Sequence, residues 1–181
     1  GGVCFIEMPE YPRASVSQLQ LPNSTWWELE RRMLLVYLGK THSSSAVHGQ
    51  VIERFEQAGS DKSVLRELEG IAHAGKDALY AGDFEALGRC MTANTNAQEA
   101  LHPALVSEDA RSVIELARSH GAWGWKINGA GGEGGSVSVL CPPEGSKKRA
   151  FVHALAELNG DFKVIPTHLS RVGVRRWRSA C

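Results

Sequence analysis

The chain has 181 residues with 20 Lys or Arg and 20 Asp or Glu, so its formal net charge is zero. A balanced charge argues against a general nucleic-acid or membrane-surface binder, because such proteins carry a basic excess. No apolar run approaches the roughly 18 residues that cross a bilayer. The 4 cysteines form no CxxC pair, which argues against a zinc ribbon and against a disulfide framework. We therefore expect a cytoplasmic globular protein with reduced thiols and no metal site.

The first residues differ from the rest of the chain. The sequence opens without an initiator methionine, and residues 3–8 and 14–21 look extended but are interrupted by Pro9 and Pro12. These pieces have no obvious partner strands of their own. We therefore expect residues 1–24 to be a remnant or linker from an upstream domain that is missing from the chain.

The remaining residues, 25–181, are expected to form one domain. Apolar periodicity and capping residues predict its elements. Its first half is predicted to contain a helix from Trp26 behind a Thr25–Glu28 capping box, a buried strand over 33–38, and helices over 47–58, 61–79 and 84–101. Its second half is predicted to contain a helix capped by Ser107, strands over 123–127 and 136–140, a helix capped by Ser146, a strand over 162–165 and an edge strand at Val172 and Val174.

The order of these elements indicates the fold. If the middle helices count as one long crossover, the order is strand, helix, strand, strand, helix, strand. That is the split βαβ, ferredoxin-like pattern. We therefore predict an α+β fold, with a ferredoxin-like antiparallel sheet, helices on one face and an enlarged multi-helix first crossover.

The most informative segment is a glycine loop between two predicted strands, which we define as Gly129, Ala130, Gly131, Gly132, Glu133, Gly134 and Gly135. Closely spaced glycines allow positive φ and remove most Cβ atoms, so a phosphate or another backbone can approach closely. A flexible hairpin tip is the alternative. The loop leads into a strand, whereas a dinucleotide-binding fingerprint must lead into a helix. A P-loop ending at Gly39-Lys40-Thr41 is excluded because Leu34 stands where that motif needs glycine.

Five polar residues outside the loop are candidate substrate contacts. Asn94 and Gln98 interrupt the apolar stripe of the predicted helix over 84–101, and buried amides must find partners. Those partners are either neighbouring backbone groups or the hydroxyls of a bound sugar. Thr41 and Ser43 follow the buried strand in a hydroxyl-rich loop, which a helix N-terminus explains equally well. Lys126 lies on the strand before the glycine loop, either on a solvated face or near a phosphate.

Residues 121–135 resemble the third motif of the GHMP small-molecule kinases. Residues 35–45 and 94–105 look most like the sugar kinases related to heptose 7-phosphate kinase. The resemblance implies the C-terminal part of an ATP-dependent kinase for a sugar or sugar phosphate. It also implies that the glycines and Ala130 of the loop border the ATP site, and that the complete enzyme uses ATP and Mg²⁺.

Two departures from the family pattern limit this expectation. Glu133 stands where many members keep glycine, and it places a carboxylate near the implied phosphates. The family's first motif and its P-x-x-x-G-L-G-S-S-A phosphate loop have no match in the chain. We therefore expect a missing N-terminal kinase domain as partner, no catalytic residue here, and no activity for the isolated chain.

Three further expectations stay open. The chain is alternatively a standalone ferredoxin-like module that binds or senses a small molecule without kinase activity. A core left exposed by a missing domain would favour a homodimer. The arginine-rich run over 171–178 suggests RNA binding, although a charged edge strand explains it more simply, and we expect no nucleic-acid or membrane partner.

Overall fold

The computed structural model describes residues 1–40, 49, 51–53, 63–129 and 131–178. The predicted helix over 47–58, the predicted cap Asp61, and the site residues Thr41, Ser43 and Ala130 lie wholly or largely outside these ranges. Within the described chain, no helix combines the length and apolar character needed to span a membrane.

Helices and strands alternate along the described chain. The strands are β1 (Cys4–Glu10), β2 (Arg13–Gln18), β3 (Met33–Tyr37), β4 (Gly124–Ile127), β5 (Ser136–Leu140) and β6 (Lys163–Ile165). The helices are α1 (Asn23–Arg32), α2 (Ser63–Ala81), α3 (Phe84–Leu101), α4 (Glu108–Ser119) and α5 (Gly145–Leu158), with a 3₁₀ turn at Pro103–Leu105.

Four strands form the main sheet in the order β4-β5-β3-β6, and every neighbouring pair is antiparallel. The helices α2, α3 and α4 all lie in the connection from β3 to β4. The predicted α+β, ferredoxin-like fold with an enlarged first crossover is therefore confirmed.

The main core lies between one face of the sheet and the helices α4 and α5. Val36, Val137 and Val139 alternate on the inner face of the sheet, while Val113 of α4 and Phe151 of α5 pack on them. All five side chains are almost fully buried. Each such burial contributes about 1.5–3 kcal/mol, so this layer fixes the sheet that carries the glycine loop.

Two of the predicted helix caps are confirmed. Asp83 accepts a hydrogen bond from the Ala86 amide at 2.8 Å, and Ser107 accepts one from the Ala110 amide at 3.2 Å. Each side chain satisfies one of the amides that a helix start leaves without a helical partner.

The other two predicted caps are wrong. The helix α1 begins at Asn23 rather than Trp26, and Thr25 makes no capping hydrogen bond because Pro22 occupies the N-cap. The helix α5 begins at Gly145 with Glu144 before it, so Ser146 lies inside the helix.

The first strands correct a second expectation. Rather than lacking partners, β1 and β2 pair with each other in an antiparallel hairpin in which Ile6 faces Val16. The sequence hides this hairpin because its turn contains Pro12 rather than the Asn-Gly or Asp-Gly pair that marks a tight hairpin.

The predicted last edge strand is absent. Residues 166–178 contain no strand. Arg171 instead stacks on the Trp26 ring at 4.4 Å and donates a hydrogen bond to Asn23 Oδ1 at 2.8 Å. This segment is therefore held against α1 rather than against the sheet, and a charged edge strand is not the reason for its arginines.

Candidate functional site

The glycine loop joins β4 to β5, as predicted. Gly129, Gly131, Gly132, Gly134 and Gly135 all have positive φ, between 63° and 117°. A residue with a Cβ rarely adopts this left-handed conformation, so the backbone path itself requires glycine.

Two remote carbonyl groups hold the loop in place. The Gly132 amide donates to the Leu105 carbonyl at 3.3 Å, and the Gly135 amide donates to the Lys40 carbonyl at 3.3 Å. A Cβ on Gly131 would lie 1.9 Å from the Leu105 oxygen, and a Cβ on Gly134 would lie 2.4 Å from the Lys40 oxygen. Only glycine permits this approach of one backbone to another, and the loop is therefore no exposed tip: Gly131, Gly132 and Gly134 are buried.

These hydrogen bonds limit what the loop can offer an anion. The amides of Gly132 and Gly135 are engaged inside the chain, so these two donors are not free to form a phosphate-binding nest. The loop instead acts as a rigid platform between the 3₁₀ turn at Leu105 and the end of β3.

Lys126 and Gln98 lie together beside the glycine loop. The Lys126 ammonium donates to Gln98 Oε1 at 2.7 Å, and Gln98 Nε2 donates to the Gly129 carbonyl at 3.2 Å. Lys126 also donates to the Ile127 carbonyl. Burial lowers the pKa of Lys126 to about 8. Sequence reasoning named both residues, and the structure brings them into one network at the start of the loop.

The helix α3 is seated directly on the edge strand β4, and this contact positions Gln98. A Cβ on Gly124 would lie 2.0 Å from the Gly88 carbonyl oxygen, so both positions need glycine. The buried Thr95 hydroxyl donates to the Trp125 carbonyl at 3.2 Å and accepts from the Ile127 amide at 3.3 Å. Thr95 thereby satisfies backbone groups that an edge strand leaves unpaired.

A polar network on the neighbouring strands was missed by the sequence reasoning. Asn128 donates to the Ser136 hydroxyl at 3.1 Å and accepts from the Ser138 hydroxyl at 3.1 Å. Ser138 pairs with Lys126 in the sheet, so these side chains share one half-buried face. The Ser-Val-Ser-Val alternation of β5 was the available signal, because it places valine in the core and serine opposite.

The charged groups at the other end of the loop form an exposed cluster. Lys40 pairs with Asp109 at 2.7 Å, and this hydrogen bond, together with weaker attraction from Glu133 and Asp161, raises the pKa of Lys40. Glu133 is exposed, so its carboxylate points away from the buried part of the loop.

The remaining candidates are less closely placed. Asn94 is half-buried on α3, one turn before Gln98, and it takes no part in the Lys126 network among the described residues. Thr41, Ser43 and Ala130 lie outside the described residues, and their roles stay predictions. Within the described ranges, no three His, Cys, Asp or Glu side chains come together as metal ligands.

Comparison with known proteins now bears on this geometry. Residues 76–159 match the family model for the GHMP kinases C terminal. The chain contains a GHMP kinase C-terminal domain. The matched region runs from α2 through α5 and includes Gln98, Lys126 and the whole glycine loop, so this site belongs to the family's domain.

Solved structures of low sequence identity share the fold of this GHMP kinase C-terminal domain. Mevalonate kinase of L. major, in complex with R-mevalonate, superposes with a TM-score of 0.74 at 20% identity over 95% of this chain and 51% of its own. A D-glycero-D-manno-heptose 1-phosphate kinase from Bacteroides thetaiotaomicron superposes with a TM-score of 0.57 at 18% identity over 93% of this chain and 42% of its own.

A curated relative is similar in sequence over a shorter stretch of its length. The bifunctional fucokinase/GDP-fucose pyrophosphorylase of Arabidopsis thaliana is 27% identical over 138 residues, which make up 76% of this chain and 13% of that protein. The chain therefore spans about half the length of the solved kinases and a small part of the fucokinase.

Proposed function

We propose that the chain is the C-terminal part of an ATP-dependent kinase for a sugar or a sugar phosphate, and that it works together with an N-terminal kinase domain. The observation that carries this proposal is the buried glycine loop, pinned between Leu105 and Lys40 with the Lys126–Gln98 network at its start. A loop held this rigidly suits phosphoryl transfer, because that chemistry depends on positioning and charge neutralisation.

ATP supplies the phosphoryl group in such a kinase, and Mg²⁺ neutralises the developing charge on the phosphates. In the proposal, the N-terminal domain holds both groups. The amides of Gly132 and Gly135 already donate inside the chain, and exposed Glu133 offers no cluster of carboxylates for a metal. The glycine loop thus contributes a preformed wall, with Gly131 and Gly134 keeping the backbone free of side chains.

The substrate contacts follow from the polar groups beside the loop. We assign Lys126 to an anionic group of the substrate, since its ammonium is partly withdrawn from water and ends beside the loop. Gln98 and Asn94 provide amides for sugar hydroxyls, and Thr41 and Ser43 provide hydroxyls from the loop after β3. The Asn128–Ser136–Ser138 network extends the same polar face.

Two relatives make a sugar acceptor the preferred substrate class. The sequence relative carries a fucokinase, and one structural neighbour is a heptose 1-phosphate kinase. Both names describe sugar acceptors. The proposal extends this acceptor class to the present chain.

The experiment is an ADP-release assay with ATP and Mg²⁺ across neutral sugars, sugar phosphates and mevalonate. It is run on the 181-residue chain and on the chain joined to the polypeptide that precedes Gly1 in its reading frame. We expect turnover of a sugar or sugar phosphate by the longer polypeptide, and none by the chain alone.

A matched pair of variants tests the role of Lys126. Lys126→Met should raise the KM for a sugar phosphate by about tenfold or more, because a charged hydrogen bond is lost. The exposed Lys163, on the opposite edge strand β6, serves as control through Lys163→Met. Saturable binding of a small effector with no turnover by either polypeptide would favour the standalone module instead.

A further inference from the structure

The hairpin of β1 and β2 exposes an unusual amount of apolar surface. Ile6, Met8, Tyr11 and Val16 are 62%, 59%, 86% and 63% exposed. Ile6 and Val16 are cross-strand partners, so their side chains lie on one face. We define the hairpin face as Ile6, Met8, Tyr11 and Val16.

The opposite face of the hairpin is already covered. The Phe5 ring lies 5.0 Å from the His73 ring, and the Lys76 ammonium lies 4.4 Å from the centre of the Phe5 ring. Phe5 is paired with Ser17, one register position from Ile6 and Val16. The hairpin is therefore anchored on α2 by one face, and the hairpin face points away from the domain.

Such a hairpin is incomplete as a folding unit. Among the described residues, β1 pairs only with β2, so both outer edges are without a strand partner. A two-stranded sheet is marginally stable in water and gains stability when another layer covers its apolar face. Exposed edges beside exposed apolar side chains also promote aggregation unless they are covered.

The comparison with L. major mevalonate kinase indicates what the cover is. That kinase matches 95% of this chain, yet only 51% of its own length is used in the match. A kinase built on this fold thus carries a comparable length of polypeptide outside it. We propose that the hairpin face docks the N-terminal kinase domain of the proposed function, through apolar packing on Ile6 and Val16 and strand pairing at the hairpin edge.

This inference rests on the proposed function, and it assigns the surface through which the two halves meet. It differs from a homodimer interface, in which a second copy of this chain would cover the same four residues. It also gives residues 1–24 a role as a docking element rather than a passive linker.

The experiment supplies the two halves as separate polypeptides. The 181-residue chain is titrated by calorimetry with the polypeptide that precedes Gly1 in the reading frame, and light scattering gives the mass of each species. We expect a one-to-one complex whose Kd rises about 100-fold or more in the double variant Ile6→Lys, Val16→Lys, because two apolar anchors are lost.

The control is Leu158→Lys, which adds the same charge at an exposed apolar residue near the end of α5. It should bind as the wild type does. Circular dichroism of the double variant checks that the domain itself is folded. A complementary check is hydrogen exchange, in which β1 and β2 amides should become protected on complex formation.

Several outcomes would overturn the docking assignment. These are the absence of a preceding polypeptide in the reading frame, no binding by the wild type, unchanged binding by the double variant, or a homodimer that the double variant dissolves. The proposed function fails separately: docking without phosphoryl transfer by the joined polypeptide refutes the kinase, whereas transfer with unchanged docking in the double variant refutes only the surface.

Discussion

Individual glycines in the loop have different physical reasons to be glycine. Gly129 and Gly131 share nearly the same positive φ, 64° and 63°. A Cβ on Gly129 would meet nothing within 4 Å, whereas one on Gly131 would strike the Leu105 oxygen. The sequence predicted a close backbone approach from glycine density alone. It could not identify Leu105 and Lys40, because both lie far from the loop along the chain.

This difference gives a matched prediction for stability. Gly129→Ala should cost about 1–2 kcal/mol from the left-handed backbone alone. Gly131→Ala should cost at least about 2 kcal/mol more, since the loop must also move away from Leu105 and lose its hydrogen bond. Urea denaturation of both variants measures the difference. Equal losses would mean that the contact with Leu105 does not hold the loop.

Lys126 is the second residue whose environment makes a prediction. Burial lowers its pKa in the folded chain to about 8, below its ordinary value of about 10.4. Between these values the unfolded chain binds more protons than the folded chain, so this group makes stability rise with pH. The free energy of unfolding of the wild type, relative to Lys126→Met, should therefore increase between about pH 8 and pH 10.

The comparison with Lys126→Met is needed because burial raises the pKa of Cys141 to about 11. That group keeps its proton in the folded chain and makes stability fall with pH above its ordinary value. Both proteins contain Cys141, so its contribution cancels in the difference. A constant difference across this pH range would show that Lys126 is not withdrawn from water.

At the scale of single elements, the two serine caps illustrate what sequence patterns determine. Ser107 and Ser146 both precede apolar periodic segments, and both were predicted as caps. Ser107 caps α4, where two acidic residues in the first turn also favour the helix start. The helix α5 starts one residue earlier than Ser146, after Pro142-Pro143-Glu144, because its start is set by that turn.

Replacing each serine by alanine tests this distinction. Ser107→Ala should cost about 1 kcal/mol, because the Ala110 amide loses its side-chain partner. Ser146→Ala should be within about 0.5 kcal/mol of the wild type, since alanine is a good helix former. Thermal or urea unfolding of both variants is sufficient. A larger loss at Ser146 than at Ser107 would contradict the helix bounds.

The elements at the two ends of the chain were the hardest to predict. The sequence indicates that residues near Ile6 and Val16 are extended, but pairing depends on a turn without the usual glycine. The run ending in Val172 and Val174 alternates as a strand does, yet Arg171 stacks on Trp26 and diverts the chain. Periodicity describes local preference, and these long-range contacts decide the outcome.

At the scale of the whole molecule, the fold was predictable because each core strand has one clear pattern. The buried run of β3, the alternation of β4 and β5, and the short β6 leave little choice once connections are required to be simple. The candidate site was predictable in part: the glycine loop, Gln98 and Lys126 were named, while Thr95 and the Asn128 network were not. Their role depends on how α3 is seated on β4.

The most direct test of the account joins loop geometry to phosphoryl transfer. The chain, joined to its preceding polypeptide, is assayed with ATP, Mg²⁺ and the preferred sugar as wild type, Gly129→Ala and Gly131→Ala, at a temperature where all three are folded by circular dichroism. The account predicts that Gly131→Ala loses on the order of 100-fold in kcat/KM, because a displaced loop misplaces the reacting groups, while Gly129→Ala stays within about tenfold of the wild type. Equal activity of the two variants, or no transfer by the wild type, would contradict it.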